Sequence, residues 1–284
     1  MAVGLAVFAA FFLGSGSYVG GHAVRADGRP QAALPIAWVG SVVGVGIAVV
    51  AVAIVRPSAV AASDLLWGIA AGACIGTGRA LLYQGLGRGP IVVFAPISAL
   101  TSVVVPVIVG AFIGQGLALL EGAGIAVALP AVVLLASGTR LPKLAEVMGS
   151  KIVGLAVVDG VVFGFASVFL GQTSEDAGIS IALITVGAAA VLMPTVRIVG
   201  VPFPRPVRHA IWLAVGVGVI EIFGEFSIVL AFQRGPIAVV AAIVGLTPAI
   251  TMVWAKAVDR EPIFRLQIPG AVLGVLSVLL FAIA

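Results

Sequence analysis

The stretch RGPIVVFAPISALT at residues 88–101 recurs as RGPIAVVAAIVGLT at residues 234–247. Nine of the fourteen paired positions are identical, at a constant offset of 146 residues. The same offset carries Gly124 onto Gly270. The second half of the chain is therefore predicted to repeat the first half from end to end.

The composition of the chain places this repeat in a membrane. Of its 284 residues, 62% are hydrophobic and 9% are charged, and the mean hydropathy is +1.29. Soluble domains are about half apolar and about one quarter charged. The apolar runs are continuous and about twenty residues long, which suits helices crossing a hydrocarbon core of about 30 Å. Strands of a membrane barrel would instead alternate over about ten residues. The predicted fold class is therefore an all-α membrane protein.

Ten spans are predicted, as two repeats of five helices. The first repeat covers residues 1–137, a connector covers residues 138–150, and the second repeat covers residues 151–284. The proline-rich connector at residues 202–206 is expected to end the seventh span. The ten predicted spans are 2–22, 34–55, 64–86, 90–112, 117–137, 151–171, 178–197, 208–232, 236–256 and 266–284.

An odd number of spans per repeat makes the two halves cross the membrane in opposite directions. Such an inverted repeat is typical of carriers that give alternating access to a site near the bilayer midplane. A small-molecule substrate is therefore an expected partner, together with the lipid bilayer. We expect a multi-pass protein of the plasma (inner) membrane, as a monomer or a homodimer.

The second repeat resembles a known family. Residues 232–281 are similar to the second EamA domain of the drug/metabolite transporter superfamily, through Pro248, Glu261, Gln267 and Gly270. The first repeat matches this pattern with Pro106 and Gly124. It departs from the pattern with Gln115 where the family has Glu, and with Glu121 where the family has Gln. The resemblance implies ten helices, alternating access and transport of small metabolites, often outward.

Ionisable residues inside predicted spans are candidates for the functional site, because charge at bilayer depth is costly. Arg79, Asp159, Glu221 and Glu225 are of this kind. Arg79 and Glu225 differ by 146 and so occupy equivalent positions of the repeat. They are expected to meet at the pseudo-two-fold axis, either as a pinning salt bridge or as a pair that recognises substrate. Asp159 either lines the cavity or lies closer to the membrane surface.

A coupling proton is a second expected ligand. Glu221 and Glu225 are four residues apart and share one helix face, where two carboxylates repel each other. The hypothesis is that Glu221 carries the proton, and the alternative is that it lines a wet vestibule.

Small polar residues within the spans are predicted to line the cavity. The resemblance places this cavity among the first, third, fourth, sixth, eighth and ninth spans. Ser and Thr hydroxyls also bond within their own helix or to a neighbouring helix, which is the alternative for each of them. The candidates in the predicted site are Tyr18, Tyr83, Ser98, Thr101 and Thr247.

The basic residues bear on orientation. The odd-numbered connectors hold twelve Lys and Arg residues, and the even-numbered connectors hold two. The positive-inside rule then places both termini outside, whereas the resemblance suggests termini in the cytoplasm. Because the basic residues are scattered over short loops, no nucleic-acid partner is expected.

Several other functions find little support in the sequence. No His, Cys, Asp or Glu cluster has the spacing of a metal site, so neither a metal nor a cofactor is expected. A nucleophile–base pair is not visible, so we do not expect an enzyme. An ATP-driven pump would need a GxxxxGK[ST] loop, which does not occur. The leading hypothesis is a secondary transporter that exports a small metabolite such as an amino-acid-like compound. The alternatives are multidrug or amphipathic compound efflux, and a structural or sensory subunit.

Overall fold

The computed structural model describes residues 1–57, 59–88, 91–114, 116–137, 141, 152–260 and 263–284. These residues form helices and no strand. The α-helices are α1 (Ala2–Asp27), α2 (Ala33–Val55), α3 (Ala62–Arg88), α4 (Ile91–Phe112), α5 (Leu119–Ala136), α6 (Ile152–Leu170), α7 (Ser180–Leu192), α8 (Arg208–Arg234), α9 (Ile237–Val244), α10 (Thr247–Val258) and α11 (Gln267–Ile283). Short 3₁₀ helices lie at Pro30–Ala32 and Met193–Val199.

The helices have the length and composition of membrane spans. Six helical segments in the described residues are long and apolar enough to cross a bilayer. They are Ala2–Asp27, Pro30–Val55, Ile152–Leu170, Ser180–Val199, Arg208–Arg234 and Ile237–Val258. Shorter apolar helices cover Ile97–Phe112, Leu119–Leu135 and Gln267–Ile283. Large apolar side chains such as Leu66, Trp212 and Val275 are exposed on the outer surface, as a hydrocarbon solvent requires. The prediction of an all-helical membrane protein is confirmed.

Two helix ends differ from the sequence prediction. The seventh span leaves the α-helical form at Leu192, well before the connector at 202–206. Pro194 stands at the start of the 3₁₀ turn there, because proline lacks the N–H that an α-helix needs. The ninth span is broken into α9 and α10 at Gly245 and Leu246. The predicted span 236–256 thus corresponds to the apolar segment Ile237–Val258, with a turn inside it.

Two antiparallel helix pairs form the centre of the molecule. Leu13 of α1 lies against Gly224 of α8, and Gly20 lies against Val217, so residue numbers run in opposite directions. In the second pair, Trp67 of α3 stacks on Phe169 of α6 with ring centroids 5.7 Å apart. Further along α3, Gly78 faces the ring of Phe163 on α6. The pairs α1/α8 and α3/α6 are related by the repeat offset.

Two parallel pairs pack against this centre, and each depends on a glycine. A Cβ on Gly14 of α1 would lie 2.8 Å from the carbonyl oxygen of Thr247 on α10. A Cβ on Gly160 of α6 would lie 2.6 Å from the Cβ of Thr101 on α4. Gly14 and Gly160 differ by 146, as do Thr101 and Thr247. The same contact is thus made twice, once by each half of the chain.

The last helix of each half packs against its counterpart. A Cβ on Gly124 of α5 would lie 2.5 Å from the Phe281 ring of α11, and one on Gly270 would lie 2.9 Å from Leu134. A side chain at an equivalent repeat position accepts a backbone N–H three residues earlier near the start of each helix. Glu121 Oε2 accepts the N–H of Ala118 at 2.8 Å, and Gln267 Oε1 accepts the N–H of Phe264 at 3.1 Å. Gln115 and Glu261 lie outside the described residues.

We expect Gln267→Ala to lower the free energy of unfolding by about 1 kcal/mol, because the start of α11 loses its side-chain acceptor. The Gln267 amide also donates to the Leu135 carbonyl at 3.4 Å, so the contact with α5 weakens as well. Thermal unfolding of the detergent-solubilised protein measures the change. Gln172→Ala, at an exposed loop position, is the control and should leave the transition unchanged. Equal stability of both variants would contradict the capping role.

Candidate functional site

A cavity of about 290 Å³ lies between the two central helix pairs. Most of its wall is apolar. The polar side chains on its wall come from five helices: Arg79 of α3, Ser102 of α4, Ser167 of α6, Glu225 of α8 and Thr247 of α10. The apolar lining includes Leu13, Ile75, Phe163, Leu170, Ile228 and Val244. The cavity lies toward the face at which α6 and α8 end.

Arg79 is the cation of this site, and two helices hold its guanidinium. Its Nη2 donates to Glu221 Oε2 of α8 at 3.2 Å, and its Nη1 donates to Ser41 Oγ of α2 at 3.2 Å. The ion pair is largely shielded, with 16% of the Arg79 side chain and 18% of the Glu221 side chain exposed. The repeat offset pairs Arg79 with Glu225, and the structure gives this ion pair to Glu221, one helical turn earlier.

Glu225 nevertheless belongs to the same site. It is buried, and it lines the cavity with Arg79. Arg79, Glu221 and Glu225 also surround a narrow adjoining space next to Ser41. In the described part of this cluster, two carboxyl groups therefore accompany one guanidinium. The second carboxyl group is placed where a cationic group of a ligand, or a proton, would complete the charge balance.

Asp159 lies in the interior but not on the cavity wall. Its side chain is fully buried on α6, and Ser98 Oγ of α4 donates to its Oδ2 at 2.6 Å. Its other oxygen, Oδ1, has no hydrogen-bond partner in the described residues. Its depth in the bilayer stays a prediction. The pair of Asp159 and Ser98 is a second polar centre between α4 and α6.

The remaining candidates have local or peripheral partners. Thr101 Oγ1 donates to the carbonyl of Ile97 within its own helix, at 2.8 Å. Thr247 Oγ1 donates to the carbonyl of Val244, at 2.5 Å, while Thr247 also lines the cavity. The side chain of Tyr83 lies outside the part of the chain that the structure describes.

Tyr18 is part of a cluster at the end of α1. Its hydroxyl lies 3.0 Å from His22 Nε2, and that nitrogen lies 3.1 Å from Asp259 at the end of α10. Arg25 Nη2 lies 2.7 Å from His22 Nδ1 and 3.5 Å from Asp259 Oδ2. One step along the helices, Trp254 Nε1 donates to Ser15 Oγ at 2.8 Å. The cluster ties α1 to α10, and Tyr18 does not line the cavity described above.

Sequence reasoning missed Ser41 and Ser167. Each is a single hydroxyl in an apolar span, and nothing in its local sequence distinguishes it from a hydroxyl that bonds to its own helix. Ser41 in fact bonds both ways, since its Oγ also donates to the Ala37 carbonyl at 3.1 Å. Only the packing of α2 against α8 shows that it supports Arg79.

The chain was compared with known families and structures. Residues 150–283 match the EamA-like transporter family. No curated protein matches the chain. A protein of known crystal structure superposes on 99% of this chain, with 96% of its own length covered, a TM-score of 0.75 and 16% sequence identity. At 16% identity this similarity shows a shared fold and says nothing about function. The family resemblance read from the second repeat is confirmed, and the chain carries over residues 150–283 a domain of the EamA-like transporter family, within the drug/metabolite transporter superfamily.

Proposed function

We propose that the protein is a ten-span secondary transporter of the plasma (inner) membrane. In this proposal two inverted five-helix repeats carry a small amino-acid-like metabolite outward by alternating access. The observation that carries the proposal is the cavity between the repeats, because Arg79 and Glu225, at equivalent repeat positions, both line it.

Helix contacts support the inverted repeat. The pair α1/α8 corresponds to α6/α3, and the pair α1/α10 corresponds to α6/α4, with glycines at equivalent positions in both. The helices α5 and α11 correspond to each other and pack together. They run antiparallel, since Gly124 faces Phe281 while Gly270 faces Leu134. Opposite directions of corresponding helices are the arrangement expected of halves inserted with opposite topology.

The charges of the site support a zwitterionic substrate. An amino acid presents a carboxylate, which a guanidinium binds through charge-assisted hydrogen bonds. It also presents an ammonium group, for which a buried carboxylate such as Glu225 is a suitable partner. Ser102, Ser167 and Thr247 add hydroxyls to the wall. A volume of about 290 Å³ lies at the lower end of the range for ligand sites, which suits a small metabolite better than a drug-sized compound.

A counterflow assay tests the proposal. Purified protein in liposomes is loaded with one amino acid at a time, and uptake of the same labelled amino acid is followed. We expect saturable uptake for one chemical class. Glu225→Gln should reduce it by at least about tenfold, because the ammonium group loses a charged partner. Glu175→Gln, at an exposed loop position, is the matched control.

The same assay distinguishes the alternative of amphipathic compound efflux. Uptake of hydrophobic cations that is unaffected by amino acids, and insensitive to Glu225→Gln, would favour that function. The absence of saturable uptake for every amino-acid-like compound would contradict the proposed substrate class.

A further inference from the structure

The buried pair of Asp159 and Ser98 lies on the continuation of the cavity wall. Asp159 and Phe163 are four residues apart and share one face of α6, and Phe163 lines the cavity. Ser98 and Ser102 are likewise four apart on α4, and Ser102 lines the cavity. The pair is therefore one helical turn beyond Phe163 and Ser102, on the same two helix faces.

Close packing seals this pair in the present conformation. A Cβ on Gly160 would lie 2.5 Å from the Ser98 carbonyl oxygen, so α4 and α6 touch through their backbones. One turn further along α6, the Phe163 ring packs against Gly78 of α3. The Asp159 side chain has no exposed surface, and its Oδ1 has no partner in the described residues.

The repeat predicts when this pair becomes accessible. In an inverted-repeat carrier, the opposite state arises when the two halves exchange conformations. Each lining residue is then replaced by its equivalent at an offset of 146. Leu13 maps onto Asp159, and Val244 maps onto Ser98. Both members of the sealed pair are therefore lining residues of the cavity in the exchanged state.

We propose that Asp159 is a proton-binding site that opens to one face of the membrane only. It holds one proton while sealed against Ser98, and it exchanges that proton with water when the cavity opens toward the other face. This inference rests on the proposed function, because it uses the exchange of the two halves. Burial of a carboxylate with a single hydroxyl donor would be costly, and a neutral acid avoids that cost.

The surrounding charges are few. α6 packs mainly against α3 and α4, and also touches α8 and α9. Of these helices, α3 presents Arg79 to the cavity, while α8 presents Glu221 and Glu225 to the cluster around it. Within their described residues, α4 and α9 carry no charged side chain. Arg79 is held by Glu221 and Ser41, so the described partner of Asp159 remains Ser98.

Infrared spectroscopy of the reconstituted protein tests the proton directly. At neutral pH the spectrum should contain a protonated carboxylic acid band that Asp159→Asn removes. Asp176→Asn, at an exposed loop position, is the matched control and should retain the band. Ser98→Ala should shift the band, because the acid loses its hydroxyl partner. A spectrum that Asp159→Asn leaves unchanged would show an ionised Asp159 and overturn the proposal.

Substrate exchange with the pH changed on one side of the membrane at a time tests the access. Raising the pH on the side toward which the exchanged state opens should slow exchange by up to about tenfold for each pH unit, because the protonated fraction of Asp159 falls by that factor and only the protonated form is sealed. Asp159→Asn should abolish this response. A response that persists in Asp159→Asn, or a wild-type rate that does not depend on which side is changed, would refute the one-sided site. If no substrate moves at all, the proposed function fails, and the infrared result still decides the protonation of Asp159.

Discussion

Replacing Arg79 with glutamine is expected to reduce substrate transport by about 100-fold. The guanidinium donates to Glu221 and Ser41 and lines the cavity beside Glu225. A hydrogen bond to a charged group is worth about 1.5–3 kcal/mol. Losing the hydrogen bond from Arg79 to the substrate, together with the position that Glu221 and Ser41 give to the guanidinium, therefore accounts for a 100-fold loss of transport. Counterflow in liposomes measures the loss. Arg79→Lys should recover only part of the activity, because an ammonium group lacks the planar fork of a guanidinium.

A folding defect would produce the same loss, and the double variant Arg79→Glu with Glu221→Arg separates the two causes. Breaking a buried ion pair by removing one partner costs about 3–5 kcal/mol, because the other charge is left unpaired. The double variant restores a pair between α3 and α8. If Arg79 recognises substrate, this variant should recover thermal stability without transport. Recovery of both would show that the ion pair serves only to join the helices.

The sequence repeat predicted equivalent positions on the helices, and some of their contacts recur at the same offset. The offset of 146 pairs Gly14 with Gly160 and Thr101 with Thr247, and the structure shows one contact repeated in both halves. Arg79 and Glu225 line one cavity, although the ion pair of Arg79 is with Glu221. The positions of these residues along their helices follow from the 146-residue repeat alone, so one sequence is enough to predict them.

Side-chain partners did not follow from the same reasoning. An arginine side chain has several rotatable bonds, so the backbone position of Arg79 does not decide between Glu221 and Glu225. Ser41 contributes from α2, at a position that no motif marks. The buried state of Asp159 depends on how tightly Gly160 lets α6 approach α4, which is a tertiary property. The break in the ninth span does have a local signal, because Pro248 stands in the first turn of α10 and cannot donate a helical hydrogen bond.

The second large expected effect is a loss of stability when a glycine at a helix contact is replaced by alanine. Gly218 of α8 packs directly on the Gly40 carbonyl oxygen of α2, and an added Cβ would overlap that backbone atom. Because a backbone carbonyl cannot rotate away, Gly218→Ala must separate two helices. Overpacking of this kind costs about 1–3 kcal/mol, and we expect a lower unfolding temperature in detergent together with reduced transport.

Gly216 provides a control on the same helix, two residues away. A Cβ there meets no atom within 4 Å. Gly216→Ala should therefore be neutral or stabilising by up to about 1 kcal/mol, since alanine is the better helix former. In the first half of the chain, Gly72 is the repeat equivalent of Gly218. It packs on the Thr185 carbonyl oxygen of α7, so Gly72→Ala should be destabilising like Gly218→Ala. Opposite effects of Gly72→Ala and Gly218→Ala on stability would contradict a repeated packing of the two halves, because equivalent contacts should respond alike to the same added methyl group.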